Sequence, residues 1–362
     1  MVIAMFVAGI VLLVFGADLL VRGAASFAAG LGVSPLIIGL TVVAVGTSSP
    51  EIAVSLQAAF NGQGAITLGN IVGSNIANIM LILGVAAMFG PLPVDRQIFR
   101  RDLPVMIGAS ILTLLLALDR SLSRIDGAIM LFGLIAYLWV IWPRGVHSDH
   151  SQQRHAHHHP WRVRVLQAAM IAGGLALLVL GANWLVDGAV TFATWFGVSE
   201  LIIGLTIVAV GTSLPEIATS VIAGLRGERD IAVGNVIGSN VLNLLFVLAL
   251  TMVLSPQPIE VPAETIRLDL PVMVGAALIC APIFITRRIV SQREGSLLLA
   301  YYLSYTLYLI LSANGSDELP VYSAVVGLLL VPLTVVLLVV RALRWLGEER
   351  RRQAPANAGM VE

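Results

Sequence analysis

The chain has 362 residues, 58% hydrophobic and only 12% charged, with a mean hydropathy of +0.93 and a formal net charge of zero. Soluble domains carry about 25% charged residues, so the composition excludes a water-soluble globular domain, and the balanced charge gives no bulk attraction to nucleic acid. The single cysteine, Cys280, lies in an apolar stretch, cannot close an intrachain disulfide and is expected to be inert packing.

A hydrocarbon core of ~30 Å takes ~20 helical residues to cross. Eleven apolar stretches are expected to do so, near 2–20, 35–59, 67–89, 103–118, 126–142, 165–185, 201–224, 232–254, 269–286, 296–311 and 320–340. The spans are expected to be helices, because no short alternating segments suggest a barrel. The first lacks the basic start of a signal peptide and belongs to a repeat, so it is expected to be retained. Every basic residue is Arg; with eleven spans, 18 of them fall on one side and only Arg120, Arg124 and Arg267 on the other. The positive-inside rule then puts the N-terminus outside and the C-terminus in the cytoplasm.

Residues 36–84 and 201–249 align without a gap at an offset of 165, with 27 of 49 positions identical. The first copy reads LIIGLTVVAVGTSSPEIAVS and then GNIVGSNIANIMLIL; the second reads LIIGLTIVAVGTSLPEIATS and then GNVIGSNVLNLLFVL. The similarity extends upstream at the same offset, and downstream DLPVMIG (102–108) echoes DLPVMVG (269–275) after a two-residue insertion. Each copy holds five spans. An odd number inverts the second copy in the membrane, the plan of many secondary transporters, whose sites lie near the midplane between repeats. The eleventh span has no partner in the duplication.

Glu51 and Glu216 are equivalent positions inside apolar spans. A charge there costs roughly 2.5–3.5 kcal/mol on insertion scales, so each is a functional-site candidate. Pro50 and Pro215 precede the acids and are expected to break the helix, freeing the carbonyls of Gly46 and Gly211, where glycine lets the backbone bend. Thr47 and Thr212, four residues before the acids, share their helical face, with Ser48 and Ser213 nearby. In the next span Ser74 and Asn78, and likewise Ser239 and Asn243, are four apart and present a hydroxyl and an amide on one face. Gly69, Gly73, Gly234 and Gly238 read as close-packing positions. Asn70, Asn75, Asn235 and Asn240 read first as interhelical hydrogen-bonding residues, with a ligand role as the alternative.

An all-oxygen set with two acids suits a hard cation such as calcium, which takes six to eight oxygens. Two carboxylates neutralise one divalent ion, and several monovalent ions could occupy the same oxygens, a natural basis for exchange. A soft transition metal would want Cys or His, and no His occurs in any expected span.

The motifs GTSSPE (46–51) with GSNIAN (73–78), and GTSLPE (211–216) with GSNVLN (238–243), make the chain similar to the cation/calcium antiporter superfamily, most of all to prokaryotic sodium/calcium exchangers. The resemblance covers residues 1–312. It implies an all-α polytopic protein with a ten-helix exchanger core of two inverted five-helix repeats, here with an extra C-terminal membrane helix. It implies calcium and sodium as transported ions, no cofactor, no enzymatic activity, alternating access and a prokaryotic inner-membrane location. Carried over, the central ligands are Glu51, Glu216, Asn78 and Asn243. Thr47, Thr212, Ser48, Ser213, Ser74 and Ser239, with the carbonyls of Ala44 and Ala209, complete the sodium and calcium sites. Potassium-dependent relatives carry Asp at the position of Asn243, so Asn there argues against potassium co-transport.

The expected plan is a first repeat over 1–142, a cytoplasmic His- and Arg-rich linker over 143–164, a second repeat over 165–312, an extra membrane helix over 313–343 and a cytoplasmic tail over 344–362. All six histidines lie between His147 and His159. That stretch reads as a solvated linker, with regulatory binding of zinc, nickel or copper as the alternative. A proton/calcium or other cation antiporter on the same scaffold is the main competitor to sodium/calcium exchange. A passive channel would need no counter-ion. An intramembrane hydrolase using Ser48 or Ser213 would need a general base beside the nucleophile and has no use for an inverted duplicate.

Overall fold

In a computed structural model the chain is described over residues 2–31, 34–141, 161–195, 209–286 and 288–358. The histidine stretch and the start of the seventh span, 201–208, lie outside the described residues. Among the described residues, each of the eleven expected spans contains a helix. The helices are Val2–Leu31, the broken pair Pro35–Thr47 and Ser49–Phe60, Gly64–Met88, Ile98–Asp119, Arg124–Ile141 and Trp161–Trp195 in the first six. Leu214–Leu225, Arg229–Leu254, Thr265–Ile285, Gln292–Ala313 and Leu319–Trp345 follow. With no water in the hydrocarbon to satisfy backbone groups, the chain meets its own hydrogen bonds by staying helical.

The third and eighth spans form the centre. Their most apolar stretches are 78% and 83% buried, against 6% for the tenth and eleventh. The second span and the described part of the seventh lie against them. The remaining apolar surface, including Leu328, Leu329, Val336 and Leu337 of the eleventh span, is exposed on the outside of the helix assembly, as lipid-facing positions must be.

The first and sixth spans, 30 and 35 residues long, exceed the expected boundaries because they pack on one another beyond their apolar stretches. Glycine recurs every seventh residue on both, at Gly9, Gly16 and Gly23 and at Gly174, Gly181 and Gly188. A Cβ added at Gly9 would lie 2.8 Å from the Gly181 carbonyl oxygen, and one at Gly16 would lie 2.9 Å from that of Gly174. Backbone therefore meets backbone, which lipid-embedded helices achieve with small residues. At the centre, Gly234 and Gly238 meet the backbone of Leu36 and Leu40, the packing role expected of them. Gly46 and Gly211 also pack, on Leu175 and Val186 of the sixth span, so their small size serves contact as well as bending.

Two short antiparallel ribbons, unforeseen in an all-helical reading, tie the repeats together. Leu92–Pro93 pairs with Ile289–Val290, and Ser121–Leu122 pairs with Ile259–Glu260. The Val94 N–H donates to the Arg288 carbonyl (2.8 Å) and the Val261 N–H to the Arg120 carbonyl (3.0 Å). Arg120 and Arg288, with φ of 65° and 51°, are the only non-glycine residues with positive φ among the described residues. The two ribbons are thus copies of one another, each built from one strand of each repeat. Cys280 is buried, its thiol facing the Ala276 carbonyl at 3.5 Å.

Gly16→Ala should destabilise the protein by about 1–3 kcal/mol, because the added methyl meets backbone that cannot rotate away. Gly108→Ala, where an added Cβ meets nothing within 4 Å, should be neutral or slightly stabilising. Thermal unfolding of the two variants in detergent checks the contrast.

Candidate ion-binding site

The second span bends by 44° at Ser48. Ser48 has φ −80° and ψ 9°, and its counterpart Ser213 has φ −88° and ψ 6°, so both spans break the same way, in the sparsely populated bridge region. The cause is local. Pro50 and Pro215 cannot donate to the preceding turn, so each is placed in the first turn of a new helix, Ser49–Phe60 or Leu214–Leu225. Glu51 and Glu216 follow in that same first turn, where the unpaired N–H groups and helix dipole favour negative charge.

Both acids are 1% exposed. Their nearest polar partners come largely from the opposite repeat. The Ser48 hydroxyl donates to Glu216 Oε1 at 3.1 Å, and the Thr47 hydroxyl to Asn235 Oδ1 at 3.2 Å. The Ser213 hydroxyl donates to Ser74 Oγ at 3.4 Å, and Ser74 in turn to Glu51 Oε1 at 3.3 Å. Among the described residues, the second carboxylate oxygen of each acid, Oε2, is buried and carries no hydrogen bond, and the same holds for both amide atoms of Asn78 and of Asn243 and for Ser239 Oγ. Asn78 lies one turn beyond Ser74, and Asn243 one turn beyond Ser239, on the same helical faces. At those two asparagines the helix widens into a turn with longer-range hydrogen bonding, Asn78–Ile82 and Asn243–Leu248, a distortion that recurs at functional sites.

No arginine compensates the acids. Among the described residues the ion pairs are Asp18 with Arg22 (3.0 Å) and with Arg226, and Glu294 with Arg341 (3.0 Å). Two buried carboxylates and a set of buried oxygens without partners therefore face one another across the repeat interface. Such a set requires a cation or protons to be stable in a low-dielectric interior. The donor chemistry, carboxylate, amide and hydroxyl oxygen, fits a hard cation.

The family model described as sodium/calcium exchanger protein matches residues 1–142 and 166–311. The chain belongs to the sodium/calcium exchanger family. It is 41% identical to the putative antiporter CaxA of Alkalimonas amylolytica, over 84% of this chain and 97% of that one. It is 31% identical to the sodium/calcium exchanger MaX1 of Methanosarcina acetivorans, over 83% and 96%. A more distant relative, the Ca(2+)/H(+) antiporter ChaA of Bacillus subtilis, is 27% identical over 63% of this chain and 71% of that one. Solved structures of the sodium-calcium exchanger NCX_Mj superpose with a TM-score of 0.72 at 31% identity, covering 83% of this chain and 96% of that chain. The first ten spans are thus the exchanger core, and the eleventh lies beyond the residues the family model matches.

The hydrogen bonds around the two motifs depart from the sequence reading at some positions and follow it at others. The Gly46 carbonyl is not free: the Ser49 hydroxyl donates to it at 2.6 Å, replacing the N–H that Pro50 lacks. Leu214 occupies the equivalent position in the second copy and has no hydroxyl to do so. The Ala44 carbonyl accepts from the Ser48 N–H (3.1 Å) and lies 3.4 Å from the Thr47 hydroxyl oxygen. Among the described residues, Asn75 and Asn240 do not bond between helices; their amides donate to the Ile71 and Val236 carbonyls of their own helix, both at 2.7 Å. Asn70 and Asn235 do bond between helices. The Asn70 amide donates to the Glu51 carbonyl (3.2 Å) and Ser55 Oγ (2.9 Å), and that of Asn235 to the Glu216 carbonyl (3.5 Å) and Ser220 Oγ (3.0 Å). Ser55 and Ser220 went unnoticed in the sequence, although they are the serines of EIAVS and EIATS, four residues past each acid. Thr212 ends the short helix Ala209–Thr212, and Ala209 begins the described part of that span.

Asn70 and Asn235 pin the half-helices that carry the acids. Replacing either by Leu should lower stability by about 1–3 kcal/mol by stranding buried hydrogen-bonding groups. Denaturant unfolding of each variant against wild type, at fixed calcium, measures it.

Proposed function

We propose that the chain exchanges calcium for sodium across the membrane by alternating access, with both ions bound near the midplane by Glu51 and Glu216. The observation that carries this reading is the pair of buried acids without an arginine, set among buried oxygens that lack partners. Asn78, Asn243, Ser48, Ser213, Ser74, Ser239, Thr47 and Thr212 supply the further side-chain oxygens, with the carbonyls of Ala44 and Ala209. One calcium ion balances the two carboxylates. When calcium leaves, sodium ions on the same oxygens restore the balance, so the two cargoes compete for one charge-compensating site. The crosswise bonds of Ser48 to Glu216 and of Ser213 to Ser74 link that site to both repeats, so its occupancy can bias how the repeats sit. Support for sodium as the counter-ion comes from the similarity to NCX_Mj and MaX1 over most of both chains. The arginine asymmetry supports an inner-membrane orientation with the N-terminus outside and the 143–164 linker and 344–362 tail in the cytoplasm.

The relationship to ChaA favours a second reading, in which protons rather than sodium discharge the acids. Calcium uptake into proteoliposomes separates the two. An outward sodium gradient should drive uptake, and a pH gradient of equal size without sodium should not; the reverse pattern selects the second reading. In the same assay Glu51→Gln and Glu216→Gln should each reduce calcium flux by more than about 100-fold. Both variants should still elute as folded protein, since the substitution removes a buried charge.

A further inference from the structure

A cavity of about 610 Å³ lies between the eleventh span and the ninth and tenth spans of the exchanger core, and none of the candidate ion-site residues lines it. We propose that it is a binding site for one glycerophospholipid, with the phosphate held at Arg267 and Tyr308 and an acyl chain laid along the groove.

Among the described residues, Arg267 is the one cationic side chain that lines the cleft. The ninth and tenth spans run antiparallel, and the Tyr305 hydroxyl donates to Asp269 at 2.8 Å. Tyr308, nearly one turn further along its helix, is therefore level with Arg267 near the start of the ninth span. Most of the other polar side chains of the lining are already engaged. The Tyr301 hydroxyl is hydrogen-bonded to Thr334 Oγ1 (2.6 Å) and lies 3.0 Å from the Leu330 carbonyl oxygen, and Ser304 and Tyr322 share a 2.6 Å hydrogen bond. Arg267 and Tyr308 have neither an ion pair nor a hydrogen bond among the described residues. A guanidinium at a span end, level with a phenol at the depth where tyrosines sit in a bilayer, supplies the charge and the hydrogen-bond donors that a phosphate diester takes.

From that end the cleft turns apolar, past Gly275, Ala276, Ile279 and Pro282 on one wall and Val335 and Leu338 on the other. Leu278, Val331, Val335 and Val339 line it and are also exposed, so it opens sideways to the hydrocarbon. Water would be costly in such a groove, and the volume falls in the range that holds one small amphiphile, roughly 300–1,000 Å³. The charge at the mouth and the apolar run behind it match the two halves of one lipid molecule. The occupant would complete the contact between the eleventh span and the core, which the Arg341–Glu294 ion pair and the Tyr301 hydrogen bond otherwise make.

Native mass spectrometry of the full chain, purified in a mild detergent and titrated with dioleoyl phosphatidylglycerol or dioleoylglycerol, tests the site. Wild type should hold one phosphatidylglycerol and bind dioleoylglycerol more weakly. Arg267→Gln should weaken phosphatidylglycerol by about five-fold and leave dioleoylglycerol unchanged. An added Cβ at Gly275 meets nothing within 4 Å, so Gly275→Leu should fold, fill the groove and remove the one-lipid species for both ligands. Val335→Trp should do the same from the opposite wall. Retention of the one-lipid species at wild-type occupancy in both groove-filling variants overturns the proposal. So does a protein dimer that those variants abolish, which would make the cleft a subunit contact.

Discussion

Two carboxylates held in a dry interior with no arginine beside them are the constraint around which the molecule is arranged. Glu51 and Glu216 are each 1% exposed, and a bare charge at that depth is too costly to keep. Each acid gains partial relief from its place in the first turn of a half-helix and from a serine hydroxyl. Both helix breaks exist because a proline precedes the acid. The central burial of the third and eighth spans, and the amides that tie Asn70 and Asn235 to the backbone of the acids, hold the breaks in place. What remains uncompensated is charge, which the cation proposed to bind there would balance.

Duplication explains how the same solution is reached from both sides of the membrane. The Ser48–Glu216 and Thr47–Asn235 bonds cross from the first repeat to the second, and Ser213 reaches back to Ser74. The two ribbons are exchanged in the same manner, each joining one strand from either repeat and each next to an arginine in the left-handed region. Glycines at seven-residue spacing bring the first and sixth spans into backbone contact. Neither repeat could form the site alone, since each supplies hydroxyls to the other's half.

Much of this is written in the sequence, for physical reasons. Long apolar stretches announce spans because hydrocarbon tolerates little else, and the offset of 165 exposes the repeat because both copies keep the same motifs. The acids stand out because charge in a span is rare. The crosswise bonds are not legible: their partners are 139 to 188 residues apart, and only the folded interface brings them together. The ribbons, two residues per strand, are too short to leave a pattern. The engagement of the Gly46 carbonyl is not legible either, because a proline's effect on the backbone does not reveal which side chain will answer it, here the Ser49 hydroxyl. The seven-residue glycine spacing was visible and is explained only by the approach of the two backbones.

Equilibrium binding of radioactive calcium to the purified protein, with sodium as competitor, tests the central claim most directly. The account predicts one high-affinity calcium per chain, displaced by sodium in a cooperative manner and absent when Glu51 and Glu216 are both replaced by Gln. Calcium binding that survives the double replacement, or that sodium fails to displace, would contradict it.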